Sequence, residues 1–153
     1  MTAAILISAV PALAYLLAWR DAAPSLPRTV AKAGAILILA LGVSLTGGPG
    51  LLVAALVASA LGDAALAQDG EPPFRAGIVA FGVAQVLYIT VMGGSWPWAI
   101  AAAGLMAGAA LPVPRPPVPR ATLALIAGYA VLLLWMAVTA AGRALFTGDA
   151  AMA

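Results

Sequence analysis

The sequence contains no cysteine and no histidine, and charged residues make up only 8% of its 153 positions. The missing cysteine and histidine exclude disulfide bonds, thiol nucleophiles, zinc sites built from these residues and imidazole acid–base catalysis. The net charge of +2 is small and dispersed, so it offers no basic surface for nucleic acid. We therefore expect neither a metal site of this type nor a nucleic-acid partner.

Hydrophobic residues dominate instead, at 65% of the chain. Ordinary globular domains carry about 25% charged residues, so this composition is typical of a membrane protein. Each apolar run approaches the roughly 20 residues that a helix needs to span a bilayer, and backbone in lipid must satisfy its own hydrogen bonds. We predict an all-α, polytopic membrane helix bundle of about six transmembrane helices, with residues 1–153 as one domain. The runs are Thr2–Trp19, Thr29–Leu45, Leu51–Ala67, Ala76–Met92, Trp96–Leu111 and Ala121–Ala141.

Lysine and arginine predict the orientation of these spans. Six of the seven lie in or beside the loops that follow the first, third and fifth runs, and only Arg143 lies on the opposite side. Because cytoplasmic loops are enriched in positive charge, we expect those three loops in the cytoplasm and both termini outside.

Asp63 is the only acidic residue inside an apolar run. An unpaired carboxylate in hydrocarbon costs about 2.5–3.5 kcal/mol, so such a residue is usually paired or faces a polar cavity, and it marks a candidate site. Lys32 lies near the cytoplasmic start of the second run, and Asp63 lies near the cytoplasmic end of the third. A short glycine-rich turn joins the two runs, which predicts antiparallel neighbours with both residues at similar depth. Lys32 then either pairs with Asp63 or extends to the lipid headgroups.

The fourth run carries aromatic and polar residues at helical spacing, which places them on one face of a helix. These residues are Phe74, Gly77, Phe81, Gln85 and Tyr88. Gln85 falls near mid-membrane and needs a hydrogen-bond partner, so Gln85 and Tyr88 either line a cavity or take part in packing. On the third run, Ser59 and Gly62 belong to a strip of small residues beside Asp63, which favours close approach of neighbouring helices.

Together these segments resemble the YhhN family of integral membrane proteins. The resemblance covers about Thr29 to Ala141. It rests on Lys32, on Ser59-Ala60-Leu61-Gly62-Asp63, and on Phe74-x-x-Gly77-x-x-x-Phe81-x-x-x-Gln85-x-x-Tyr88. Family members often have histidine where Gln85 stands. The characterised members are lysoplasmalogenases, so the resemblance implies a lipid hydrolase, here a multi-pass protein of the bacterial inner membrane.

The implied reaction cleaves the vinyl-ether bond of lysoplasmalogens and gives a fatty aldehyde and a glycerophospho-head group. Vinyl ethers hydrolyse by protonation at carbon, which forms an oxocarbenium ion that water attacks. Asp63 is expected to be the catalytic acid, because withdrawal from water favours the protonated carboxyl group. A paired Lys32 would oppose that effect, so we expect Lys32 nearer the lipid phosphate. The reaction needs no metal and no other cofactor.

The same resemblance assigns roles to the residues near Asp63. Lys32, Phe81, Gln85 and Tyr88 are expected to bind the lysophospholipid substrate, whereas Ser59, Gly62 and Gly77 are expected to pack the helices beside the site.

The resemblance also implies about eight helices and a Ser-Asp pair on a late helix, whereas the sixth apolar run is the last one here. We therefore expect an incomplete or inactive form of the hydrolase, or one completed by a partner subunit, and a homo-oligomer stays open. Two alternatives remain from the residues alone. One is a small transporter or lipid-binding protein in which Asp63 carries a proton or holds a cation. The other is a non-catalytic protein whose polar residues only pack.

Overall fold

The computed structural model describes residues 2–94 and 119–146, and every regular element in these ranges is helical. The predicted all-α class is confirmed. Four of the helical segments are long and apolar enough to cross a membrane. The fifth predicted span, Trp96–Leu111, lies outside the described residues. The elements are α1 (Thr2–Ala14), a π-helical turn (Tyr15–Trp19), α2 (Leu26–Leu45), α3 (Gly50–Leu66), α4 (Glu71–Val91) and α5 (Arg120–Phe146).

Among the described helices, packing follows chain order: α1 contacts α2, α2 contacts α3, α3 contacts α4, and α4 contacts α5. The first four helices, α1 to α4, alternate in direction. Ala4 near the start of α1 lies against Gly42 near the end of α2, and Leu66 at the end of α3 lies against Gly77 near the start of α4. The turns between these helices are short, and a few residues cannot lead the chain back along the whole length of a helix. Each helix must therefore run antiparallel to the one before it.

Helices α4 and α5 are parallel. Glu71 at the start of α4 accepts a hydrogen bond from Thr122 at the start of α5, and Met92 after the end of α4 accepts one from Arg143 late in α5. Gly94 and Pro119 therefore lie at opposite ends of this helix pair.

Helix α3 has 17 residues, so it is shorter than the four candidate spans. At 1.5 Å per residue it is about 26 Å long, slightly less than the roughly 30 Å hydrocarbon core. Apart from Ser59 and Asp63 it is apolar, and it lies between α2 and α4. Asp63 lies one turn before the end of this helix.

Two helices begin earlier than the apolar runs predict. The predicted run Ala76–Met92 is corrected by α4, which begins at Glu71 with Pro72 and Pro73 in its first turn. Proline is tolerated there because the first helical N–H groups have no partner within the helix. Helix α2 likewise begins at Leu26, where the Ser25 hydroxyl accepts a hydrogen bond from the Arg28 backbone N–H.

Helix α1 continues past Pro11 and then widens into the π-helical turn at Tyr15–Trp19. Proline removes one helical hydrogen bond and crowds the preceding turn, and π-helical turns are a common way for a helix to absorb such a disturbance. This turn places Tyr15 beside α2, at the level of Lys32.

Candidate functional site

Lys32 and Asp63 form an ion pair across the antiparallel helices α2 and α3. The Nζ atom of Lys32 lies 3.6 Å from Oδ1 of Asp63. Two residues beyond the end of α3, the Gln68 side-chain amide donates a 2.9 Å hydrogen bond to the Thr29 hydroxyl, which links the same ends of the two helices. Of the two sequence-based alternatives for Lys32, the structure shows pairing with Asp63.

The pair is largely withdrawn from solvent, with 20% of the Lys32 side chain and 19% of the Asp63 side chain exposed. The ammonium group also lies 5.8 Å from the centre of the Tyr15 ring, within the range of a cation–π contact. At 3.6 Å the ion pair is longer than the 2.7–2.9 Å of a charge-assisted hydrogen bond. The two groups therefore attract each other without a short hydrogen bond.

Two glycines bring α3 and α4 into close contact beside Asp63. A Cβ atom on Gly62 would lie 2.7 Å from the ring of Phe81, and one on Gly77 would lie 2.7 Å from the side chain of Leu66. Both contacts are too short for a real methyl group. The Phe81 ring therefore lies directly against the α3 backbone at the residue that precedes Asp63.

Phe81 also connects α4 to α5. Its ring centre lies 6.3 Å from that of Tyr129, with an angle of 50° between the ring planes, an arrangement common for aromatic pairs. Across the five described helices, the side chains that follow one another are thus Tyr15, Lys32, Asp63, Phe81 and Tyr129. They form a continuous layer of aromatic and charged side chains at one depth, which we call the Asp63 layer.

Ser59 and Tyr88 meet one turn deeper. The Ser59 hydroxyl donates a 3.0 Å hydrogen bond to the Ala55 carbonyl, and its oxygen lies 3.4 Å from the Tyr88 hydroxyl. Because the single hydroxyl proton of Ser59 is already used, Tyr88 acts as the donor in this second contact.

Gln85 lies between Phe81 and Tyr88 on α4 and is 7% exposed. Its Oε1 atom is buried and has no hydrogen-bond partner within the described ranges. An unsatisfied buried amide oxygen costs about 1–3 kcal/mol, so it requires an explanation. Phe74, on the same predicted face, is 39% exposed and lies apart from the Asp63 layer, in an open cleft of ≈ 410 Å³ with Gln68, Asp69 and Glu71.

Sequence reasoning did not connect three residues that the structure places at the site. Tyr15 belongs to a run without charge, so its contact with Lys32 could not be read from the pattern. Tyr129 lies in the last apolar run, where no spacing relates it to Phe81. Arg28 lies four residues before Lys32, a spacing that predicts a shared helical face.

The chemistry available here is proton transfer and anion binding. No group of three or more histidine, cysteine, aspartate or glutamate side chains that would hold a metal occurs within the part of the chain that the structure describes. A carboxyl group, an ammonium group, hydroxyl groups and an amide are present, on an otherwise apolar and aromatic background.

Comparison with known proteins gives a single assignment. A sequence profile described as the YhhN family matches residues 27–152, which is most of the chain and includes every residue of the Asp63 layer except Tyr15. Neither a curated protein nor a solved structure matches this chain. The chain is a multi-pass membrane protein and a member of the YhhN family.

Proposed function

We propose that this protein hydrolyses the vinyl-ether bond of lysoplasmalogens, in a bacterial inner membrane, with Asp63 as the catalytic acid. The observation that carries the proposal is the position of the Asp63 carboxyl group. It lies one turn before the end of an apolar helix, mostly withdrawn from solvent, with the Lys32 ammonium group 3.6 Å away. The family resemblance supports the reaction class, and this geometry supports a role for the shielded carboxyl group as an acid.

The reaction begins with proton transfer from the Asp63 carboxyl group to the vinyl carbon that is β to the ether oxygen. The electron pair of the double bond forms the new C–H bond, and the ether oxygen shares the positive charge in an oxocarbenium ion. The Asp63 carboxylate, now charged, stabilises that cation. Water then adds to the cationic carbon and loses a proton to the carboxylate. The Asp63 carboxyl group then gives a proton to the glycerol oxygen as its bond to the hemiacetal carbon breaks, the hemiacetal hydroxyl group loses its own proton to Asp63, and the aldehyde departs.

Lys32 affects both the ionised and the protonated form of the Asp63 carboxyl group. As the pair stands, the ammonium charge stabilises the carboxylate, whereas proton transfer to carbon requires the protonated acid. We propose that the pair loosens when the anionic substrate enters, because a second negative charge near this end of the helices weakens the attraction between the ammonium group and Asp63. After the proton transfer, Lys32 stabilises the carboxylate that has formed, which strengthens Asp63 as an acid.

The residues around the pair suit a single-chain lipid. Phe81 and Tyr129 offer flat aromatic surfaces at the depth of the carboxyl group. Gln85 offers a buried amide oxygen that can accept a hydrogen bond from the free hydroxyl group of a lysolipid or from the attacking water. Tyr88 lies a turn deeper and is held by Ser59.

A proton-coupled transporter remains the second candidate, because a partly buried Lys–Asp pair is also the arrangement expected of an intramembrane proton carrier. The two functions differ in what they need. Purified protein in liposomes without any ion gradient should release fatty aldehyde from a lysoplasmalogen if it is a hydrolase. Lipid or ion movement that requires a proton gradient, without aldehyde release, would favour the transporter and refute the hydrolase.

A further inference from the structure

Arg28 lies on the face of α2 that carries Lys32, one turn closer to the start of the helix. Its side chain is partly buried. Its Nε atom is inaccessible to solvent and has no hydrogen-bond partner, and Arg28 has no ion pair, within residues 2–94 and 119–146. An arginine that served only to extend into the headgroup region would expose its guanidinium group instead.

The acidic side chains at this end of the helices form no ion pair with Arg28: Asp69 is exposed to solvent, and the other three have partners of their own. Asp63 pairs with Lys32 at 3.6 Å, and Asp21 pairs with Arg20 at 3.4 Å. Glu71 accepts a 2.7 Å hydrogen bond from Thr122. The unmet hydrogen-bonding capacity of Arg28 therefore calls for an anion from outside the described part of the chain.

We propose that Arg28 is the main contact for the phosphate group of a lipid held at this site. The Nε and one Nη of a guanidinium group form a planar fork that matches two oxygens of a phosphate, and the Nε of Arg28 is a donor that no partner in the described structure uses. The inference rests on the proposed function and refines it. Because Lys32 is engaged by Asp63, the role of phosphate contact, expected of Lys32 from the sequence, passes to Arg28.

The order of these residues along the membrane matches the order of groups in a lysolipid. Arg28 precedes Lys32 by four residues, about 6 Å along the helix axis toward the end where α2 begins. A phosphate at Arg28 would leave the glycerol and its chain linkage to extend inward, toward the level of Asp63. The headgroup phosphate then lies at Arg28, and the bond to be cleaved lies toward the level of Asp63.

The test measures binding of an unreactive lipid, so that it does not depend on catalysis. Lysophosphatidylethanolamine with an ester-linked chain is titrated into the purified full-length protein in detergent, beside a monoacylglycerol with the same chain and no phosphate. Arg28→Gln should weaken binding of the phospholipid about tenfold, as expected for loss of a charge-assisted pair, and leave monoacylglycerol binding unchanged. Unchanged monoacylglycerol binding also shows that the variant is folded.

Arg75→Gln is the matched control, since Arg75 is an exposed arginine near the start of α4, at the same end of the helices. It should bind both lipids as the unaltered protein does. Unchanged phospholipid binding by Arg28→Gln would refute the inference, and so would equal weakening by both variants, because that would indicate a general effect of surface charge.

Competition identifies the source of the phosphate. Displacement of the lysolipid by phosphatidylglycerol, but not by inorganic phosphate, would identify a bilayer lipid as the ordinary occupant. Displacement by inorganic phosphate would identify a site for free phosphate. Arg28-dependent binding that neither competitor affects would assign the site to the lysolipid.

Aldehyde release from a vinyl-ether lysolipid, measured on the same preparations, separates the two proposals. Arg28-dependent lipid binding without aldehyde release would support the phosphate site and refute the hydrolase. Aldehyde release by Arg28→Gln with an unchanged KM would support the hydrolase and refute the phosphate site.

Discussion

The ammonium nitrogen of Lys32 lies 3.6 Å from a carboxylate oxygen of Asp63, on neighbouring antiparallel helices that the Thr29–Gln68 hydrogen bond also links. This pairing lowers the cost of placing either charge inside a membrane-spanning helix. It also means that substitution of one partner changes the chemistry of the other.

Lys32→Met should lower kcat about tenfold and move the alkaline limb of the kcat–pH profile to higher pH, with little change in KM. Without the ammonium charge, the Asp63 carboxyl group holds its proton to higher pH but is a weaker acid when it must give that proton up. Steady-state kinetics over a range of pH measures both effects, and Lys32→Arg is the charge-preserving control. A raised KM with kcat unchanged would instead assign Lys32 to ground-state binding of the phosphate.

Gly62→Ala should destabilise the protein by about 1–3 kcal/mol, because the new methyl group would overlap the Phe81 ring in a packed helix interface. Thermal unfolding in detergent measures the loss. Gly34→Ala is the control, since a Cβ atom at Gly34 meets nothing within 4 Å. If the two alanine variants unfold at the same temperature, the contact between Gly62 and Phe81 does not determine the α3–α4 packing.

Gln85→Leu should leave stability unchanged or raise it, because it removes a buried amide oxygen that has no partner in the described structure. The same change should raise KM for a lysoplasmalogen severalfold if that oxygen contacts the substrate. Gln68→Leu is the contrast: its amide donates to Thr29, so this variant should lose about 0.5–1.5 kcal/mol of stability. A destabilised Gln85→Leu with an unchanged KM would make Gln85 a packing residue.

The sequence was sufficient for the helical class, which follows from the long apolar runs. It also predicted similar depths for Lys32 and Asp63 on neighbouring antiparallel helices, but it left open whether the two residues pair, which the structure shows. It did not predict the start of α4, because two consecutive prolines usually indicate a turn. Pro72 and Pro73 instead lie in the first turn of the helix, where proline is tolerated.

Contacts that depend on how helices rotate against each other were also missed. The spacing on α4 predicts that Phe81, Gln85 and Tyr88 share a face, yet it cannot show that Phe81 lies against Gly62 whereas Gln85 keeps an unpaired oxygen. The contact of Tyr15 with Lys32 depends on a π-helical turn that no pattern in the first apolar run indicates.

The central claim is that the Asp63 carboxyl group donates the proton that cleaves the vinyl ether. The most direct measurement is the rate of aldehyde release from a lysoplasmalogen by Asp63→Asn, compared with Asp69→Asn, which alters an exposed acid just beyond the end of the same helix. Asparagine keeps the size of the side chain but cannot give a proton to carbon, so kcat should fall about 10²–10⁴-fold, whereas Asp69→Asn should keep full activity. Aldehyde release by Asp63→Asn at a rate close to that of the unaltered protein would contradict the account.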